Sequence, residues 1–485
     1  MSALDDIRNE RLKKLNLLKE KGIDPYRATT NRTHTIAEVL SSFTSLEASG
    51  EKVTLAGRVM TVRGQGAILF ADFTDGAVKF QAVIKEDTLP GDVFNFFKDT
   101  VDAGDFVEFT GTIFTTKTGQ QSILVTEWLM LTKSLLPLPD KFHGLQDEEE
   151  RFRKRYLDLL THPELKEMFL RKELFWDATR RFMKSKGFME VETPTLEITT
   201  GGAEARPFKT HHNDFDIDVF LRISVGELWQ KRLIAAGFEK TFEIGRIYRN
   251  EGTSPNHLQE FTNMEFYQAY TNYEDGMKLV EELYRAIAEE VYGKTEFTYG
   301  AHTFDFAKGW NRIEYGEEVK RQTGIDIGST SVEEMKAKLQ ELGVSYEGDT
   351  KERLLDTLWK YCRKNISGPA FVINHPKLVS PLAKEVVGKD ATQRFQPLIA
   401  GTEVGNGYSE LNNPLEQRAR FDVQKELLAH GDEEAMMPDD EFVEMLEHGM
   451  PPACGFGFGE RLFAILENRP VRETQFFPLM RPKSE

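Results

Sequence analysis

Cysteine is nearly absent: Cys362 and Cys454 are the only two in 485 residues. Two thiols this far apart offer neither a disulfide framework nor a Cys-type zinc site, so a reducing, cytoplasmic setting is the default expectation. Apolar runs are short. None reaches the ~20 residues of a membrane span, and no membrane role is expected. The stretch from Met1 to Lys14 lacks the apolar core and small-residue cleavage site of a secretion signal. There is no GxxxxGK[ST] phosphate loop. The run Gly455-Phe456-Gly457-Phe458-Gly459-Glu460 is a partial GxGxxG without the strand–helix–strand frame of a dinucleotide site. Positive charge is in deficit, with 62 Lys+Arg against 79 Asp+Glu and a formal charge of −17. That argues against indiscriminate nucleic-acid binding. It leaves room for a local basic face, because the first 32 residues carry eight Lys/Arg against five Asp/Glu.

What is present suffices for two or three domains with real cores, since 40% of the residues are hydrophobic. Helical spacing of Leu4, Ile7, Leu12, Leu15 and Leu18 predicts a helix over 4–22, closed by Gly22 and Pro25. Residues 1–50 read as a helical extension. Between 51 and 134 the text changes to five short alternating runs, TLAGRVMTV, AILFADF, AVKFQAVI, FVEFTGTIF and SILVTEWLML, with turn signals at Asp75-Gly76 and Thr118-Gly119. Five strands in so short a span suit a small oligonucleotide-binding (OB-fold) barrel. Residues 135–150, with Pro137 and Pro139, read as a linker.

From 151 to 485 strands and helices mix, giving an α+β chain overall. A helix over 165–186 is expected to lead through Gly187 into the strand MEVETPTL, 189–196. A helix over 275–292 follows a strand-rich stretch. Two helices, 331–341 and 350–364, form an insertion around 325–366, opened by the capping boxes Ser331/Glu334 and Asp349/Glu352. Strands return at 370–374, 395–404 and 407–412, and GFGFGERLFAIL is a strand-to-helix passage.

Chemistry concentrates in Phe242–Tyr267, FEIGRIYRNEGTSPNHLQEFTNMEFY. Arg246 and Arg249 are three apart, so in a strand they point to opposite faces, while Arg249 shares its face with Glu251 and Glu265 shares one with Tyr267. A guanidinium fork grips phosphate. A row of carboxylates holds an amine or, through a metal, more phosphate. The competing reading is a hairpin laced with surface salt bridges.

Three stretches in order, GFMEVETPTL (187–196), FEIGRIYRNE…EFTNMEFY and GFGFGERL (455–462), resemble motifs 1, 2 and 3 of class II aminoacyl-tRNA synthetases. The text between them narrows this. KGIDPY, LPLPDKFHGLQDEEERFRKRYLDLL, GGAEARPFKTHHN, VSPLAK, GTEVGNGYSELNNPLEQRARF and GMPPACGFG closely resemble bacterial-type lysyl-tRNA synthetases, almost end to end. The resemblance implies an OB-fold anticodon-binding barrel followed by a catalytic domain on a mostly antiparallel sheet flanked by helices. It implies a homodimer formed through motif 1, ending here at Pro194. It implies activation of lysine with ATP, release of pyrophosphate, and transfer to the 3′-terminal adenosine of tRNA(Lys).

Carried over position by position, Arg249, Glu251 and Arg461 become the catalytic set. Arg249, Glu251, His257, Phe261, Glu403 and Arg461 bind ATP. Glu227, Arg249, Glu265, Tyr267, Asn406, Tyr408 and Glu410 bind lysine. Glu403 and Gln396 are the Mg2+ pair, and Arg63, Phe70, Gln81 and Glu127 meet the anticodon. Three departures stand out. Gln396 replaces an acid seven positions before Glu403, Gly459-Glu460-Arg461 is one residue shorter than usual, and the loop before Glu227 lacks its proline. Two other readings stay open: a catalytically weak or silent paralogue that binds tRNA or regulates, for which Gln396 speaks, and a sister aspartyl- or asparaginyl-tRNA synthetase.

Overall fold

The computed structural model describes residues 3–483 apart from 140–144, 204, 253, 255–256, 347, 349 and 431–434. The chain forms two compact units, Met1–Pro163 and Glu164–Glu485.

In the first unit the helix Ala3–Glu20 buries Arg11, Leu15 and Leu18. It stops two residues short of the expected end, because Gly22 turns to φ 72° and the Ile23 amide bonds back to the Leu18 carbonyl. All five expected barrel strands are present: β1 (Lys52–Gln65), β2 (Ile68–Thr74), β3 (Lys79–Lys85), β4 (Phe106–Thr115) and β5 (Gln121–Thr132). They close in the order β1-β2-β3-β5-β4. Alternation directs Leu69, Ala71, Phe73, Phe80, Ala82 and Ile84 into one core.

A buried ion cluster locks the barrel's end. Lys133 Nζ lies 2.6 Å from Asp102, 2.8 Å from Asp105 and 2.8 Å from the Thr100 carbonyl. The Lys133 and Asp105 side chains have no solvent exposure.

In the second unit the strands are β6 (Met189–Glu190), β7 (Leu196–Glu197), β8 (Lys209–His212), β9 (Ile217–Leu221), β10 (Lys240–Tyr248), β11 (Glu260–Ala269), β12 (Glu296–Tyr299), β13 (His302–Asp305), β14 (Asn311–Glu314), β15 (Ala370–Ile373), β16 (Arg394–Ile399), β17 (Thr402–Glu403), β18 (Asn406–Ser409) and β19 (Ala453–Gly459). Among the described residues, one sheet runs β14-β15-β16-β18-β19-β11-β10-β6, with β17 on β16. It is antiparallel except where β14 meets β15 and β6 meets β10. The fold is thus α+β, as expected.

The helix Tyr273–Tyr292 lies on this sheet through Met277, Val280, Leu283, Tyr284 and Ile287. Asn272 caps it by accepting from the amides of Glu274 and Asp275. Its approach is so close that a Cβ on Gly276 would sit 2.5 Å from Cys454 Sγ.

Two expectations need correction. MEVETPTL is not one strand: β6 pairs with β10 and β7 with β9 in a separate small sheet. Pro194, between them, has no amide to give a ladder. The insertion's helices are Val332–Glu341 and Lys351–Arg363. Ser331 and Glu334 form the expected capping box. The second helix is capped by Thr350, which accepts from the Arg353 amide, while Asp349 lies outside the described residues.

Replacing Lys133 with Met leaves Asp105 buried without its cation. The expected loss is about 3–5 kcal/mol. Hydrogen exchange by mass spectrometry checks this: peptides of β4 and β5 should lose protection, and unchanged protection there refutes the role given to Lys133.

Candidate functional site

The β10–β11 hairpin pairs Lys240 with Gln268 through to Tyr248 with Glu260. Arg246 falls within it and bonds Glu260 at 2.8 Å on the surface, so the salt-bridge reading holds for that arginine. Arg249 and Glu251 lie just past the end of β10 and turn into a cleft of about 390 Å3. The expected strand-face relation between them is therefore not what groups them; the turn is. The same cleft is lined by every other residue expected to meet ATP, lysine or metal: Glu227, His257, Phe261, Glu265, Tyr267, Gln396, Glu403, Asn406, Tyr408, Glu410 and Arg461.

One end is acidic. Glu227 opens the helix Glu227–Ala235, Glu265 and Tyr267 alternate along β11, and Tyr408 on β18 leads to Glu410. All three carboxylates are at least 94% buried, with exposures of 4%, 6% and 1%. Glu265 accepts from the Val225 amide at 2.8 Å, from Asn263 Nδ2 at 3.1 Å and from the Tyr267 hydroxyl at 3.1 Å. Tyr408 donates its hydroxyl to Glu227. Burial, then repulsion from Glu227, pushes the Glu265 carboxyl up to about 7. Burial raises Glu410 as well, against the pull of Lys231. Lys231 Nζ lies 2.7 Å from Glu227 and 2.5 Å from Glu410. Asn406 accepts from Arg394 Nε at 2.7 Å.

The glycine run forms the wall of this end. A Cβ on Gly455 would come 2.3 Å from Glu410 Oε1 and 2.4 Å from Tyr267 Cε1, and one on Gly457 would come 2.7 Å from Glu265 Cγ. Phe456 and Phe458 point the other way, into the aromatic core. Strand alternation thus explains GFGFG without any dinucleotide motif.

The other end is cationic. The Arg249 guanidinium lies over the Phe261 ring, 5.5 Å from its centroid, a cation–π contact. Arg461, the first residue of the helix Arg461–Leu466, donates to the Glu403 carbonyl at 3.3 Å. Glu460, which lines the cleft beside Arg461, is held by Lys172 Nζ at 3.1 Å, and the short Gly459–Arg461 turn still delivers the arginine. Burial and the neighbouring Arg461 lower the His257 imidazole below its ordinary value. Glu403 Oε1 accepts from Trp359 Nε1 at 2.5 Å, which fixes the carboxylate and leaves its second oxygen for a ligand. Gln396 Oε1 lies 2.7 Å from His375 Nε2.

Sequence reasoning missed Lys231, Asn263 and Trp359. Lys231 was legible as an i,i+4 partner of Glu227 on one helix. Asn263 was legible as the next same-face residue before Glu265. Trp359 reaches Glu403 across 44 positions and carried no local signal.

In the first unit Arg63 pairs across from Phe70, and Asp72 from Gln81, which pairs on to Ser122. Arg63 bonds Asp72 and sits 6.0 Å from the Phe70 ring centroid. Gln81 accepts from Ser122 Oγ at 2.9 Å. These residues share the barrel face opposite to its core. Glu127 is not brought to this group: it lies five positions along β5 from Ser122 and faces Lys52 at 3.9 Å.

Comparison with known proteins agrees with both units. Residues 53–131 match the OB-fold nucleic acid binding domain, and residues 147–481 match the tRNA synthetases class II (D, K and N). The chain is 42% identical over 487 residues to the lysine–tRNA ligase of Roseiflexus sp. (strain RS-1), covering 99% of each chain. It is 42% identical over 493 residues to that of Shouchella clausii, covering 99% of this chain and 98% of the relative. It is 41% identical over 491 residues to that of Moorella thermoacetica, covering 100% of both. With a barrel of the right strand order and a cleft built on the motif 2 hairpin, the chain belongs to the class II tRNA synthetases of the D, K and N group.

Proposed function

We propose that this synthetase is a lysine–tRNA ligase, which activates lysine with ATP to lysyl-adenylate and pyrophosphate, then transfers lysine to the 3′-terminal adenosine of tRNA(Lys). The observation that carries the reading is the acidic end of the cleft. Three buried carboxylates face one internal ammonium, and neither oxygen of Glu410 receives a well-formed hydrogen bond. Buried carboxylate without enough partners is costly, and a substrate ammonium relieves that cost. A neutral side chain would leave it in place, and an aspartate side chain would add to it, which disfavours the sister specificities.

Activation needs no protein nucleophile. The lysine carboxylate attacks the α-phosphorus, the bond to the bridging oxygen breaks, and pyrophosphate leaves with the electron pair. Catalysis is then positioning and charge stabilisation. Arg249 holds the α-phosphate next to the lysine carboxylate. Arg461 holds the far phosphates, where negative charge accumulates. Phe261 stacks on adenine, and Glu251 and His257 contact adenine or phosphate. At the acidic end Glu227 meets the α-amine, while Glu265, Tyr267 and Glu410 meet the side-chain amine. Asn406 and Tyr408 complete the pocket.

Mg2+ fits the cationic end as a companion of ATP. The second Glu403 oxygen would serve as a hard ligand and Gln396 would offer a neutral carbonyl. When bound, the metal would supply positive charge to the leaving phosphates. Arg63, Phe70 and Gln81 form the anticodon-reading face, with stacking on Phe70 and polar reading beside it; Glu127 lies apart and takes a peripheral part at most. Motif 1, around Pro194, supplies the surface of a homodimer. The setting is the cytoplasm, and no helix among the described residues is long and apolar enough to cross a membrane.

Lysine-dependent ATP–pyrophosphate exchange tests the proposal. Absence of exchange with every amino acid would instead favour the silent paralogue. Within that assay Glu265→Gln should raise the KM for lysine about 30-fold, ~2 kcal/mol, and leave the KM for ATP alone.

Its pH profile follows with a definite sign. Glu265 is raised to about 7, and an ammonium needs the ionised form, so lysine affinity gains as pH climbs through that value. Below it, KM should rise up to about tenfold per pH unit. Glu265→Gln should flatten that slope.

Gln396→Glu should lower the Mg2+ concentration for half-maximal exchange about tenfold; superimposable titrations would refute Gln396 as a weakened ligand.

Phe70→Ala should raise the KM for tRNA(Lys) by about 1–3 kcal/mol with adenylate formation unchanged. Unaltered charging kinetics would remove Phe70 from the anticodon face.

A further inference from the structure

Lys231 belongs to no role above, yet it is the least solvated cation beside the cleft. Its side chain is 2% exposed, it does not line the cavity, and it stands behind Glu227 and Glu410. Three rings surround the ammonium: Tyr408 at 5.3 Å, Tyr267 at 5.8 Å and Phe442 at 5.8 Å. Such burial of a lone ammonium is prohibitive, and burial of Glu410 alone would be equally so. Each makes the other tolerable. Burial by itself would lower the Lys231 pKa, but the two carboxylates together hold it above the ordinary lysine range.

Glu227, Glu265 and Glu410 gather at this end, and Lys231 is the cation paired with two of them. Without that partner, buried like charges relieve themselves by taking up protons. A protonated carboxyl no longer attracts an ammonium strongly.

We propose that Lys231 is the built-in counter-ion of the amino-acid pocket: by pairing with Glu227 and Glu410 from behind, it favours the ionised form of Glu410 and aims it before substrate arrives. It is a positioning residue, since it touches the carboxylates and not the substrate. The inference rests on the lysine reading of the cleft. Every group packed around it is accounted for. Glu227 comes from its own helix, Glu265 and Tyr267 from β11, Tyr408 and Glu410 from β18 and its end, and Phe442 from the helix Asp440–His448. The Cys454 thiol on β19 is held neutral by burial and by Glu410.

The test is the pH dependence of the KM for lysine in ATP–pyrophosphate exchange, on the full chain. Lys231→Met should move the pH at which lysine KM falls upward by at least about one unit, which at fixed neutral pH is about a tenfold higher KM. The KM for ATP should not change. Lys231→Gln keeps hydrogen-bond donors for both carboxylates and removes only the charge. It carries the same expectation and replaces the methionine variant if that fails to fold. Lys231→Arg, which keeps the charge, should hold the wild-type profile. A lysine that merely supports the fold would lower thermal stability and leave the profile where it was; that outcome in Lys231→Gln overturns the proposal. If the wild-type protein activates no lysine at any pH, the functional reading fails and this inference with it. If it does, and the neutral variants keep its profile, only the counter-ion falls.

Discussion

Uncompensated negative charge, buried and held apart, is the constraint on which the rest of the catalytic unit depends. Taking a carboxylate out of water costs several kcal/mol even after relaxation. The acidic end does it three times within one wall of the cleft. Each carboxylate receives a different kind of compensation. Glu265 is held by a backbone amide, an amide side chain and a phenol. Glu227 has a phenol and an ammonium. Glu410 has the ammonium and little else. Compensation is graded and is least at Glu410. A site arranged this way discriminates by asymmetry: a missing ammonium leaves charge unpaired, whereas a missing methylene costs only ~1–3 kcal/mol.

The same strand that borders this charge also builds the core. β19 alternates glycine and phenylalanine, and its two faces obey opposite demands. On the cleft side a Cβ at Gly455 or Gly457 would strike Glu410, Tyr267 or Glu265. On the other side Phe456 stacks on Phe395 with centroids 5.6 Å apart and planes 8° from parallel. Tyr284, from the covering helix, meets both Phe456 and Phe458 edge-on and donates to the Val404 carbonyl at 2.7 Å. Site geometry is therefore fixed by close packing on the opposite face, where a shift of even a methylene is felt. A strand slip of one residue would exchange the faces and destroy both at once.

Local patterns in the sequence carried the barrel. Alternation and two turn dipeptides placed all five strands, because each strand has one wet and one dry face. The hairpin was legible for the same reason. MEVETPTL was not: its composition suits a strand, but Pro194 divides it between two sheets, and partner choice is a tertiary matter. Strand-face reasoning also grouped Arg249 with Glu251 correctly for the wrong reason, since both lie beyond the last ladder pair at Tyr248. Lys231 hid inside a helix whose mixed composition looked ordinary. Nothing nearby marked it as the partner of Glu410, 179 positions away in the chain. Trp359 on Glu403 is the extreme case, a contact made only because the inserted helical hairpin packs on the sheet through Val372 and Leu398.

Gln396 was the strongest sign of a silent paralogue, and the cationic end weakens that reading. Arg249 and Arg461 both reach the cleft, and the short motif 3 turn does not divert Arg461. Glu403 remains an acid with one oxygen fixed by Trp359 and the other free. Arg363 Nε, 4.0 Å from Glu403, adds a further cation at this end. A second acid at 396 would offset that positive charge in the empty cleft and would need metal to bring ATP in. A neutral glutamine does not repel phosphate, and its hydrogen bond to the uncharged, buried His375 holds it in place. On the proposed reading, a neutral residue at 396 leaves more of the neutralisation of ATP to arginine than to metal.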